Sequence, residues 1–207
     1  PPDIRRLVGD VAAELLVGHE THRGTTLVVY GREHLGSALV IDGAVHQPRA
    51  GSPDLAHLPV GPTTYLDDRG AGLLDVVSDS ALVRAAALHG ISVSTVAELA
   101  ARARHDATAE AILVERATVL GGLVGIVSAI TRPDSVVLCG QAFTDHPRYL
   151  APLMRATRET RLSGGLPDLR VSTAGNRIQQ FAAMAVALDA ICADPTSLLT
   201  ERLCTAS

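Results

Sequence analysis

Apolar residues recur at two spacings along the chain, and the alternation between them lays out the elements. Val8, Val11, Ala12 and Leu15 stand at helical spacing and predict a helix over 7–17. Two apolar runs of strand length follow at 26–30 and 36–41, separated by a turn at 31–35 and closed by Asp42-Gly43, a strong hairpin signal. Val45-His46-Gln47 begins a third strand, and the proline- and glycine-bearing stretch 48–70 reads as loop. Helical spacing returns at 71–88, through Leu73, Leu74, Val77, Leu82 and Val83. Ser94 is expected to cap a helix reaching Ala103. The longest helix covers 107–130 and stops at Arg132-Pro133, because the residue before a proline avoids helical backbone angles. A buried strand at 136–138 leaves through Gly140, and a helix at 147–161, a strand at 168–172 and an Ala-rich helix at 177–193 complete the order. Strands first, then helix and strand in alternation, predict an α/β fold: a mixed sheet flanked by helices.

Composition narrows the picture. The 207 residues suffice for one substantial core or two small lobes. With three Tyr, two Phe and no Trp, the core has to be built from Ala, Val and Leu. No unbroken apolar run reaches the roughly 18 residues of a membrane span, and the start, Pro1-Pro2-Asp3-Ile4-Arg5-Arg6, lacks the apolar segment of a signal peptide. A cytoplasmic protein without a membrane partner is therefore expected, and the missing initiator Met suggests a fragment. Cys139, Cys192 and Cys204 are an odd, scattered set, which argues against a disulfide framework and offers no metal-ligand spacing. All 18 basic residues are Arg, dispersed in a chain of net charge −4, so this is not the part that would grip DNA.

The segment 27–62 carries the most specific pattern: a glycine-punctuated turn, Gly31 to Ala38, and an Asp54-Leu55-Ala56-His57 tetrad further on. It resembles the ROK family (repressor, open reading frame, kinase), in which the turn usually reads Leu-Gly-Thr-Gly-Ile-Gly-Ala-Gly and the tetrad Glu-Ile-Gly-His. The helix over 107–130 with Thr131 to Gly140, and the stretch from Gly175 to Ile191, are similar to the family's long helix, its strand ending in glycine and its closing helix. The resemblance implies an actin-like, hexokinase-like lobe over 1–207, mainly the second of two, with 1–20 the end of the first. It also implies that the family's winged helix-turn-helix lies outside this chain.

The same resemblance shows which chemistry has been replaced. A kinase needs a phosphate cradle and a base, and the cradle depends on glycines that let backbone N–H groups approach phosphate. Arg32, Glu33 and His34 stand there instead: their side chains crowd the cradle, and a carboxylate repels phosphate. The family's Asn-Asp pair falls on Arg5 and Arg6 if Glu14 is the Glu that follows it, and an arginine cannot accept a proton at neutral pH. Asp10 and Asp3 are the nearby carboxylates that a register slip could recruit. The family's zinc run of three cysteines has no counterpart after His57, and His57 with Asp67 and Asp68 is too poor a set for zinc.

Sugar recognition calls for polar groups converging in a cleft, and Asp54 and His57 occupy the positions that the resemblance assigns to it; a loop Asp and a structural His are the ordinary alternative. Gly121, Gly122 and Gly125 allow close helix packing, either within the molecule or in a dimer. His19 and His22 read as a surface pair, and Cys139 as a packing residue. The reading overall is the effector-sensing and oligomerising region of a ROK-type repressor of sugar metabolism. No catalytic residue, no metal and no cofactor is expected. A sugar or sugar phosphate would be the effector, and the assembly a homodimer or larger. A divergent sugar kinase and a non-sensing dimerisation scaffold are the alternatives.

Overall fold

The structure, a computed structural model, describes residues 24–46, 55–67, 72–160, 165 and 167–172. The helices expected at 7–17 and 177–193 lie outside the described residues, as do Asp54, Asp3, Asp10, Glu14, His19, His22, Cys192 and Cys204.

Strands β1 (Thr25–Gly31), β2 (Leu35–Ile41) and β3 (Ala44–Val45) form an antiparallel meander. Strands β4 (Ser135–Cys139) and β5 (Asp168–Val171) extend it in parallel, giving the order β3-β2-β1-β4-β5. The mixed sheet is the expected one. Central β1 is buried continuously from Leu27 to Gly31, which is what a strand covered on both faces requires. Asp42 (φ 50°) and Gly43 (φ 82°) both take left-handed backbone, the geometry of a tight hairpin turn. Gln47, expected to extend the third strand, lies outside the described residues.

The helices are α1 (Leu73–Val77), α2 (Asp79–Leu88), α3 (Val96–Arg102), α4 (Ala107–Thr131), α5 (Gln141–Thr144) and α6 (Leu150–Thr160), with a 3-10 turn at Pro147–Tyr149. Two boundaries and one cap conformation differ from expectation. The single helix at 71–88 is two, because Ser78 takes extended backbone and its hydroxyl accepts the Ala81 N–H at 3.2 Å, opening a new helix. Thr95, not Ser94, caps α3: its hydroxyl accepts from Glu98 N, while the Glu98 carboxylate accepts from Ser94 N. Arg132 ends α4 as expected, but in left-handed rather than extended backbone (φ 47°).

Helix α4 is the spine of the molecule. Asp106 caps it by accepting from Thr108 N and Ala109 N, and Ala109, Ile112, Leu113, Ala117, Leu120 and Val124 bury its inner face. By length and composition it could cross a membrane, although Glu115 and Arg116 keep its unbroken apolar runs short of a span. More than half of that apolar stretch is buried inside the protein, as in a core helix.

The α4 glycines settle their own question. A Cβ at Gly121 would stand 2.2 Å from the Leu153 carbonyl oxygen, and one at Gly125 2.9 Å from that of Thr157. Both positions bring α4 against α6, and the Thr157 hydroxyl, 3.0 Å from Gly121 O, fastens the crossing. Intramolecular packing accounts for these two residues.

Candidate functional site

Two regions carry the polar chemistry. The first is a cleft of about 770 Å³ between the β1–β2 turn, the α1–α2 junction, α4 and the starts of α3 and α5. Gly31 pairs with Leu35 across the turn, so Arg32, Glu33 and His34 form its three-residue tip. At the cleft's other side, Gly140 (φ 94°) turns the chain out of β4, and a Cβ there would sit 2.4 Å from Gly31 O. The ends of β1 and β4 thus meet backbone to backbone, and only glycine permits it.

Side chains of the protein fill the space beside this junction. Glu33 accepts from Ser80 N at 2.9 Å and from the Ser80 hydroxyl at 2.7 Å, placing its negative charge on the first turn of α2. Partial burial raises the Glu33 carboxyl, but the two Ser80 hydrogen bonds, with the charges of His34 and Arg116, outweigh it and hold the group below the ordinary Glu value. Behind it lies Arg116, 5% exposed, whose Nε donates to Val77 O at 2.8 Å and whose second guanidinium nitrogen donates to Asp79 Oδ1 at 2.7 Å. Burial lowers the Arg116 pKa, and Asp79 and Glu33 oppose it. The other Asp79 oxygen is 3.7 Å from Nε of the half-buried Arg32.

The turn with its carboxylate lines the cleft, and the partners of Glu33 and Arg116 are what sequence reasoning missed. One signal was available: Arg116 falls on the apolar stripe of α4, between Ile112, Leu113 and Leu120. A charge on a buried stripe demands a counter-charge. His146 also lines the cleft; burial holds its imidazole below the ordinary value, with Asp145 opposing and Arg148 reinforcing. Cys139 is buried, its thiol donates to Val29 O, and burial pushes its pKa up to about 12, which suits packing and not attack.

The second region is the loop that carries His57. Its residues 55–67 form turns without helix or strand, as expected. Leu55 and Leu66 are buried at its ends. On one side Leu73 N donates to Leu58 O and Leu74 N to Ala56 O, so α1 begins on one carbonyl of the tetrad and on that of the residue after it. Gly72 makes this possible, since a Cβ there would lie 2.8 Å from His57 Cα. On the other side the Glu115 carboxylate accepts from three successive backbone groups: Thr64 N (2.7 Å), Tyr65 N (2.6 Å) and Leu66 N (2.9 Å). The His89 ring lies 3.0 Å from Tyr65 O. His57 is exposed and is not part of the cleft wall. Among the described residues, no three His, Cys, Asp or Glu side chains cluster as metal ligands would.

No family model matches the sequence. The chain is 36% identical over 204 residues to transcriptional regulators of Mycobacterium tuberculosis and Mycobacterium bovis, an alignment covering 90% of this chain and 46% of theirs. It thus spans about half the length of the curated relatives that it matches. Among solved structures it is similar to a ROK hexokinase from Thermus thermophilus (TM-score 0.70, 23% identity, 87% of this chain and 64% of that one). It is also similar to a ROK family glucokinase from Streptomyces griseus, solved with glucose and AMPPNP (TM-score 0.67, 18% identity, 86% and 65%). A ROK family transcriptional regulator, a homologue of the E. coli MLC protein, aligns at TM-score 0.65 and 20% identity over 88% and 51%. At these identities the structural matches establish the fold, which kinases and regulators share. By fold the chain is a ROK-type, actin-like lobe, and by sequence it is a relative of mycobacterial transcriptional regulators over nine-tenths of its length.

Proposed function

We propose that this chain is the effector-sensing and oligomerising region of a ROK-type transcriptional regulator of sugar metabolism, without catalysis and without a cofactor. It forms mainly the second lobe of a two-lobed cytoplasmic protein that acts as a homodimer or larger assembly. A winged helix-turn-helix elsewhere in the full-length polypeptide contacts DNA. A sugar or sugar phosphate is the effector, met by Asp54 and His57. Its action is to favour one arrangement of lobes over another, which needs differential binding and no chemical step.

One observation carries this reading. The turn that a kinase would keep open for phosphate instead presents Glu33, already bonded to Ser80, in front of the Arg116–Asp79 pair. An entering phosphate would meet a carboxylate of its own sign and would have to displace two hydrogen bonds. The relatives named as transcriptional regulators support the same reading. The test is a gel shift of the full-length polypeptide on the DNA upstream of its own gene, with and without a panel of sugars and sugar phosphates. Retarded DNA released by one sugar is the expected result. No shift under any condition overturns the regulator, and ATP-dependent phosphate transfer to a sugar would establish a kinase in its place.

A further inference from the structure

We propose that Glu115 is the positioning residue of the His57 loop: one carboxylate, gripping three consecutive backbone N–H groups, sets the shape in which that loop meets its effector. The proposal rests on the regulator reading above for the word effector, and on geometry alone for the rest.

Residues 55–67 contribute no strand to the sheet and no helix, so their backbone is held by bonds outside any ladder, among them Leu58 N to Leu55 O and the Thr63 hydroxyl to Leu66 O. The tetrad end is docked on α1 through Leu73 N, Leu74 N and the close approach of Gly72. Between that end and Thr64 the chain passes Pro59, Gly61 and Pro62, and a Cβ at Gly61 would touch nothing within 4 Å. The far end is then closed by Glu115 from α4, some fifty residues away in sequence.

The division of bonds matters. Oε1 takes Thr64 N alone, while Oε2 takes both Tyr65 N and Leu66 N. Three donors converging on one anion need a full carboxylate, since an amide offers only one accepting atom. Pro59 and Pro62 restrict the backbone of the span between the Glu115 end and the His57 end, which is the route by which the proposal couples them.

The test uses the full chain and needs no effector to decide it. Backbone amide exchange and the His57 ring resonances are followed in wild type, Glu115→Ala and Glu115→Gln. In Glu115→Ala, exchange at Thr64, Tyr65 and Leu66 should accelerate roughly 10- to 100-fold while the buried amides of α4 keep their protection, and the His57 signals should move. In Glu115→Gln the amide oxygen still serves Tyr65 and Leu66. Thr64 alone should then lose protection, and His57 should return toward its wild-type position. The exchange split reports the carboxylate grip itself, whereas the His57 shift and its return are what a glutamate serving only its own end of the loop would not give. Unchanged exchange at all three amides overturns the proposal, and so does fast exchange with an unmoved His57. Should Glu115→Ala fail to fold, Glu115→Gln decides by the same two readouts. A parallel titration of wild type with D-glucose, read on His57, tests the sugar reading separately; its failure leaves the Glu115 result standing on exchange.

Discussion

Glu33 and Ser80, forty-seven positions apart, are joined by two hydrogen bonds at 2.9 and 2.7 Å that close the β1–β2 turn onto the first turn of α2. The contact turns a residue that looked merely disruptive in the sequence into a helix-terminal anion. It also makes the cleft acid-sensitive.

The Glu33 carboxyl is held below its ordinary value, so folding favours its ionised form. That stability is complete above the unfolded carboxyl pKa, near 4.5, and is lost as pH falls through the lower folded value. His146, held below 6.5, acts in the same direction earlier: the unfolded state takes up its proton first, and stability begins to fall below about pH 6.5. Urea midpoints measured from pH 8 to pH 3 should therefore decline in two stages. Glu33→Gln should reduce the more acidic one, to which Asp106 at the start of α4 also contributes, and leave the other.

Asp79 is the counter-charge of a buried arginine, and its removal should be costly. In Asp79→Ala, Arg116 keeps its bond to Val77 O but loses its hydrogen-bonded counter-charge, leaving only the more distant Glu33 to oppose its burial. Chemical denaturation should show a loss on the order of 3 kcal/mol. Replacing Arg116 and Asp79 together by apolar residues should cost clearly less than Asp79→Ala alone, since no charge is then stranded.

Neighbouring glycines on α4 should respond with opposite signs. Gly121→Ala drives a methyl into Leu153 O at the α4–α6 crossing and should destabilise by about 1–3 kcal/mol. Gly122→Ala meets only the Thr160 hydroxyl at 3.7 Å and should gain about 0.5–1 kcal/mol from helix propensity. Thermal midpoints of the two variants against wild type decide it.

Cys139 should be inert in the native protein. Its buried thiol, with a pKa near 12, leaves almost no thiolate at pH 8. Iodoacetamide followed by peptide mapping should find residue 139 unmodified until denaturant is added, then labelled fully.

Much of this molecule was legible in the sequence, for reasons that differ by element. Strands β1 and β2 with their Asp42-Gly43 turn were plain because local pattern and turn chemistry agree. The division of 71–88 was hidden because Leu73 to Leu88 keeps an unbroken helical spacing, and only the Ser78 hydroxyl, acting on Ala81, marks the break. In the cleft, the place of Glu33 in the β1–β2 turn was legible, whereas its bond to Ser80 depends on a tertiary approach that no local pattern encodes. Glu115 went unnoticed for the same reason: on its helix it looks like an ordinary solvent-facing acid, and its three partners belong to a loop fifty residues upstream.

The adjacency of Glu115 and Arg116 has a mechanical consequence. These neighbours on α4 grip different neighbourhoods, one the His57 loop and the other the Val77–Asp79 junction beneath the cleft. Their separation along the axis is one helical rise, about 1.5 Å, and it cannot stretch. The loop and the cleft floor are therefore fastened to the same turn of α4, and neither contact can be displaced along the axis without the other.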